Sequence, residues 1–167
     1  MGKDTAIARA FGRGDWRKVI ELETASLNEE EHKQFSYAMI GMAYENLSEY
    51  DNAKQNYAKA LEHDQVCEQA LEGLSRIYYN EKDYNLTYHY VLKGLHSVKE
   101  TNYSVPKFIK IMIAIIIKII RPRRPFKEIL NEAYDMDQTR NKWIKWATEF
   151  KEWYEENIDD GNKNKLH

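Results

Sequence analysis

Apolar positions recur at helical spacing along most of this chain, and through its middle the whole pattern repeats. When residues 34–67 are slid about 34 places onto residues 68–101, Tyr37 falls on Leu71, Ile40 on Leu74, Tyr44 on Tyr78 and Tyr50 on Tyr84. Small residues continue the match, with Ala53 on Thr87 and Ala60 on Gly94. Each unit reads as two helices joined by a turn. A hairpin of this length cannot bury its own apolar face and must stack on its neighbours. A degenerate earlier unit precedes them over 1–33. Residues 6–11 are helical by composition, 12–15 form a turn, and 16–27 form a second helix with Val19, Ile20 and Leu22 apolar. Trp16 precedes Tyr50 by the same step, so the register holds over three units. Glu23 stands where an apolar residue is usual, and the first helix is short, as in an end unit with one side in water.

After Thr101 the pattern changes. Ser104 reads as an N-cap with Pro106 in the first turn, opening a helix to about Ile120 that is crowded with isoleucine. It is too short to cross a membrane, which takes about 20 apolar residues. Lys107, Lys110, Lys118 and Arg121 form one basic stripe along it, and Arg123 and Arg124 follow in the turn 121–125. The expected division thereafter is a short helix over 126–134, a long one over 138–158 and a frayed tail over 159–167. Trp143, Trp146, Phe150 and Trp153 share a face of the long helix, the expected packing seam against the repeats.

The matched positions resemble the tetratricopeptide repeat (TPR) family over 1–101. Counting Gln34 as the first position, the family's pattern is carried by Tyr37, Ile40, Gly41, Tyr44, Ala53, Tyr57 and Ala60, and one step on by Leu71, Leu74, Ser75, Tyr78, Thr87, Val91 and Gly94. Gly41 and Ser75 are small where the first helix presses on the second, and Tyr44 and Tyr78 are expected to fill the space that the small residues leave. The resemblance implies an all-α solenoid of about three hairpins (1–33, 34–67, 68–101), capped by the helical extension 102–158. It also implies a concave groove that binds a peptide or helix of a protein partner. Its lining would be Phe35, Ala38, Met42, Glu45 and Asn46, then Gln69, Glu72, Arg76, Tyr79 and Asn80, with the two asparagines available to a peptide backbone. Family members that clamp a chaperone's C-terminal carboxylate carry cations at positions held here by Ala38, Met39, Met42, Gln69 and Gly73. A carboxylate needs charge-assisted donors, so that ligand is not expected.

Charge and composition narrow the classes further. Residues 1–103 carry 12 basic and 17 acidic groups, 104–127 carry seven basic and no acidic, and 128–160 carry four basic and ten acidic. Nucleic acid is not expected as a partner, because phosphate affinity needs an extended basic face. The alternative to a groove-binding adaptor is a self-association or membrane-surface module. It would act through the isoleucine-rich helix 106–120 and the basic turn 121–127, as a homodimer seam or a contact with anionic lipid. That turn also matches a PxxPxK ligand of SH3-type domains and a basic import patch, although proline after a helix end already accounts for it. Catalysis finds no support. The five histidines include no HExxH pair, and Arg140 and Trp146 spoil the calcium-loop pattern that opens at Asp135. No phosphate-binding glycine loop appears, so neither a cofactor nor a metal is expected. Cys67 is the single cysteine, which excludes an intramolecular disulfide. With no signal-peptide pattern at the N-terminus, an intracellular, cytoplasmic protein is the expectation.

Overall fold

The structure, a computed structural model, describes the backbone of residues 3–27, 33–100 and 126–159, and side chains over 5–27, 33–98 and 140–158. Among the described residues it is all-helical. The helices are α1 (Lys3–Gly12), α2 (Trp16–Ser26), α3 (Lys33–Asn46), α4 (Tyr50–His63), α5 (Glu68–Asn80), α6 (Tyr84–Glu100) and α7 (Phe126–Tyr154), and one π-helical turn spans Glu155–Asp159. Two compact units divide the chain, Met1–Ser97 and Val98–His167.

In the first unit the period seen in the sequence returns as backbone geometry. Helices α1, α3 and α5 end in the same turn, with a left-handed residue at Gly14 (φ 69°), Ser48 (φ 60°) and Lys82 (φ 63°). In each turn the next amide reaches back five residues: Asp15 N to Ala10 O at 3.0 Å, Glu49 N to Tyr44 O at 2.9 Å and Asp83 N to Tyr78 O at 3.0 Å. The left-handed residue's own amide bonds Phe11 O, Glu45 O and Tyr79 O in turn. This is the Schellman arrangement, which satisfies carbonyls that a helix end would otherwise leave unpaired. Glycine adopts the left-handed conformation freely, whereas Ser48 and Lys82 hold it at a cost of about 1 kcal/mol each. The following residue starts the next helix. Asp15 accepts from Lys18 N at 3.2 Å and Asp83 from Leu86 N at 3.0 Å, each an N-cap. Glu49 makes no such cap and pairs with Arg17 and Asn52 instead.

Packing follows the same step. Val19, Ala53 and Thr87 are buried at equivalent places in α2, α4 and α6, and the main core gathers Ala38, Ala53, Tyr57, Ala60, Leu74 and Ile77. Tyr78 stacks on Tyr90 with ring centroids 5.6 Å apart, and Ser97 Oγ donates to Val66 O at 3.2 Å, joining α6 to α5 and to the turn before it.

Two expectations change. The ring that meets Gly41 is Tyr57 of α4, not Tyr44. Tyr44 and Tyr78 are partly buried at the edge of the core. In the second unit, α7 is one continuous helix from Phe126 to Tyr154 rather than two. No proline or glycine lies within that span, so the polar stretch around Asp135 and Asp137 has nothing to stop it. The aromatic stripe is graded: Ala147 and Phe150 are buried, Trp143 and Trp146 half-buried, and Trp153 exposed. Phe150 touches both Trp146 and Trp153, each at 5.7 Å between centroids. No described helix is long and apolar enough to cross a membrane.

Candidate functional site

The first helices of the hairpins, α1, α3 and α5, meet at two junctions of unlike chemistry. Between the second and third hairpins the space is full. Tyr57, completely buried, lies between Gly41 of α3 and Gly73 of α5. A Cβ on Gly41 would stand 2.7 Å from the Tyr57 ring, and one on Gly73 closer still, so both positions depend on having no side chain. The Tyr57 hydroxyl donates to Glu45 Oε2 at 2.8 Å. Arg76 of α5 grips the same carboxylate with two nitrogens, at 2.6 and 2.9 Å, and reaches Glu72 at 3.1 Å. Burial, and next the Glu45 charge, push the Tyr57 phenol well above its ordinary range. The hydrogen bond to Glu45 raises Arg76 further, and burial raises the Glu72 carboxyl against the pull of Arg76.

Between the first and second hairpins the equivalent space is open. A groove of about 460 Å³ runs there, lined by Ile7 and Phe11 of α1, Glu23 of α2, and Phe35, Ser36 and Met39 of α3. The correspondence is position for position. Ile7, Glu23 and Met39 each stand 34 residues before Gly41, Tyr57 and Gly73. The open junction carries a glutamate, an isoleucine and a methionine at the places where the filled one carries a tyrosine and two glycines. Phe11 and Phe35 are 37% and 52% exposed, so both aromatic residues remain accessible to a partner. Phe11 is braced edge-on by Trp16, 5.2 Å between centroids. Glu23, only 6% exposed, is the one charged residue in the described lining.

The residues expected to line a groove divide accordingly. Phe35 lines it, and Met42, half-buried, lies two turns along the same face of α3. Ala38 does not: at 2% exposure it belongs to the core with Ala53 and Tyr57, its small side chain letting α3 approach its neighbours. Glu45, Glu72 and Arg76 are held in the network of the filled junction. Asn46 is exposed, and its amide donates to Met42 O at 2.9 Å within its own helix. Gln69, Tyr79 and Asn80 are exposed on α5. The basic candidates Lys107, Lys110, Lys118, Arg121, Arg123 and Arg124 lie outside the described residues, as does the isoleucine-rich segment.

Of the lining residues, the groove expectation held only Phe35; it omitted Ile7, Ala8, Phe11 and Gly12 of α1, Glu23 of α2, and Ser36 and Met39 of α3. The sequence held one signal for them, the glutamate at a place usually apolar. Cys67, before α5, is buried, and burial raises its thiol pKa, which keeps it protonated and inert. No group of three metal-ligating side chains occurs among the described residues. No protein-family model and no curated protein matches the chain.

Proposed function

We propose that this chain is a non-catalytic interaction module, a tetratricopeptide-like stack of helical hairpins that takes a segment of a protein partner along the face of α1 and α3. One observation carries the reading. The groove between the first two hairpins exposes Phe11 and Phe35 beside Ile7 and Met39, where the next junction is closed by its own tyrosine. Apolar clefts with a few placed polar groups are what partner segments occupy. The partner is a protein rather than a nucleic acid, because the only charge in the described lining is a carboxylate.

Site-specific crosslinking tests this. A photoreactive phenylalanine analogue replaces either Phe35 in the groove or Ala58, exposed on α4, in the full chain expressed in its own cells. Discrete protein adducts from position 35 that are missing from position 58 support the groove. Equal labelling at both sites, or none at 35, overturns it.

A further inference from the structure

If the groove is the binding surface, as proposed above, its walls also say what enters. We propose that it takes the side chain of an arginine or lysine carried by an extended segment of the partner protein. The neighbouring junction shows the template: a single tyrosine ring fills the equivalent space, its hydroxyl donating to a carboxylate. Here the protein supplies the carboxylate, Glu23, and leaves the long side chain and its donor to the partner. Phe11 and Phe35 provide aromatic faces that attract a cation. Ile7 and Met39 provide apolar surface for the methylenes of the stem. Glu23 already interacts within the chain. A carboxylate offers about four acceptor sites, so a further donor can be added.

An extended segment suits its dimensions: the walls, residues 7–12 of α1 and 35–39 of α3, run for only about 9 Å, the reach of one long side chain and its neighbours. Charge selects a basic one. No lysine, arginine or histidine is among the described lining residues. About 9 Å beyond Met39 along α3, at the helical rise per residue, Glu45 shares the guanidinium of Arg76 with Glu72 of α5. With carboxylates outnumbering cations among these side chains, a basic segment is favoured over an acidic one.

A display library of random linear 12-residue peptides, panned on the full chain, provides the test. Enriched peptides are expected to share an arginine or lysine flanked by apolar residues. Their affinity should fall about tenfold with Glu23→Gln, the size of one charge-assisted contact, and weaken with added salt. Filling the groove with Ile7→Gly, Glu23→Tyr and Met39→Gly together, which copies the neighbouring junction, is expected to abolish binding. Phe35→Ala, at an exposed position, is a second variant in case the triple change misfolds, with circular dichroism confirming helicity for each. Peptides without a basic preference, or indifferent to Glu23→Gln, that are still lost on filling the groove or on Phe35→Ala overturn this inference and leave the groove reading standing. Peptides indifferent to all three changes, or no enrichment over an unrelated bait, overturn both.

Discussion

The two junctions of the first unit use one backbone plan for opposite ends. Where Tyr57 lies between Gly41 and Gly73, the space between helices is consumed by the fold, and its polar rim of Glu45, Arg76 and Glu72 is paired within the chain. Where Ile7, Glu23 and Met39 hold the equivalent places, the space stays open, with Phe11 and Phe35 exposed beside it. At equivalent positions of the repeat, one junction is thus filled by its own side chains and the other is left open. Exchanging one large residue and two absent side chains for one medium residue and two present ones converts the first into the second.

The largest effect should come from emptying the filled junction. Tyr57→Ala removes a ring with no exposure and leaves Glu45 without that donor, at an expected cost of about 4 kcal/mol in urea unfolding. Glu23→Ala, at the equivalent open position, should cost clearly less, and equal losses would break the comparison. Gly73→Ala drives a methyl into the Tyr57 ring and is expected to cost about 2 kcal/mol. Combined with Tyr57→Val the loss should be less than additive, because the clash disappears with the ring.

The pH dependence sharpens the same contrast. Burial holds the Tyr57 phenol above its unfolded value near 10. Its contribution is therefore complete below about pH 10 and is lost as pH rises beyond it, by up to about 1.4 kcal/mol per pH unit. Tyr57→Phe should flatten that alkaline limb in thermal melts at pH 9 to 11, and an unchanged limb would refute the assignment.

Smaller effects test the plan that both junctions share. Lys82→Gly and Ser48→Gly are each expected to stabilise by up to about 1 kcal/mol, and Gly14→Ala to destabilise by a similar amount, since all three hold the left-handed place in one recurring turn. Asp83→Ala should cost about 1 kcal/mol through loss of its cap. Glu49→Ala, which loses no cap, should cost only a few tenths. Thermal unfolding of the set, read as a series, decides whether the three turns are energetically equivalent.

Much of this is written in the chain itself. The step that aligns Tyr44 with Tyr78 and Trp16 with Tyr50 and Tyr84 fixes the helices of the first unit, because local spacing and turn chemistry decide them. The departure at Glu23 is visible there too. Its consequence is not, because a groove is a difference of volumes among side chains brought together from α1, α2 and α3. Ile7 and Met39 read as ordinary apolar residues until they are seen lining one groove with Glu23. Ala38 reads as a groove residue by its place in the repeat and turns out to be core, since that place does not report how closely two helices approach. The single helix α7 departs from the expected division the other way, since no residue between 134 and 138 stops a helix.

By itself, the sequence determines the period, the hairpins and their turns, since these depend on residues close in the chain and on backbone conformations that few residue types accept. Only the tertiary structure decides which junction closes and which stays open. That outcome turns on whether side chains about 16 residues apart along the chain, on three different helices, together fill the space or fall short of it.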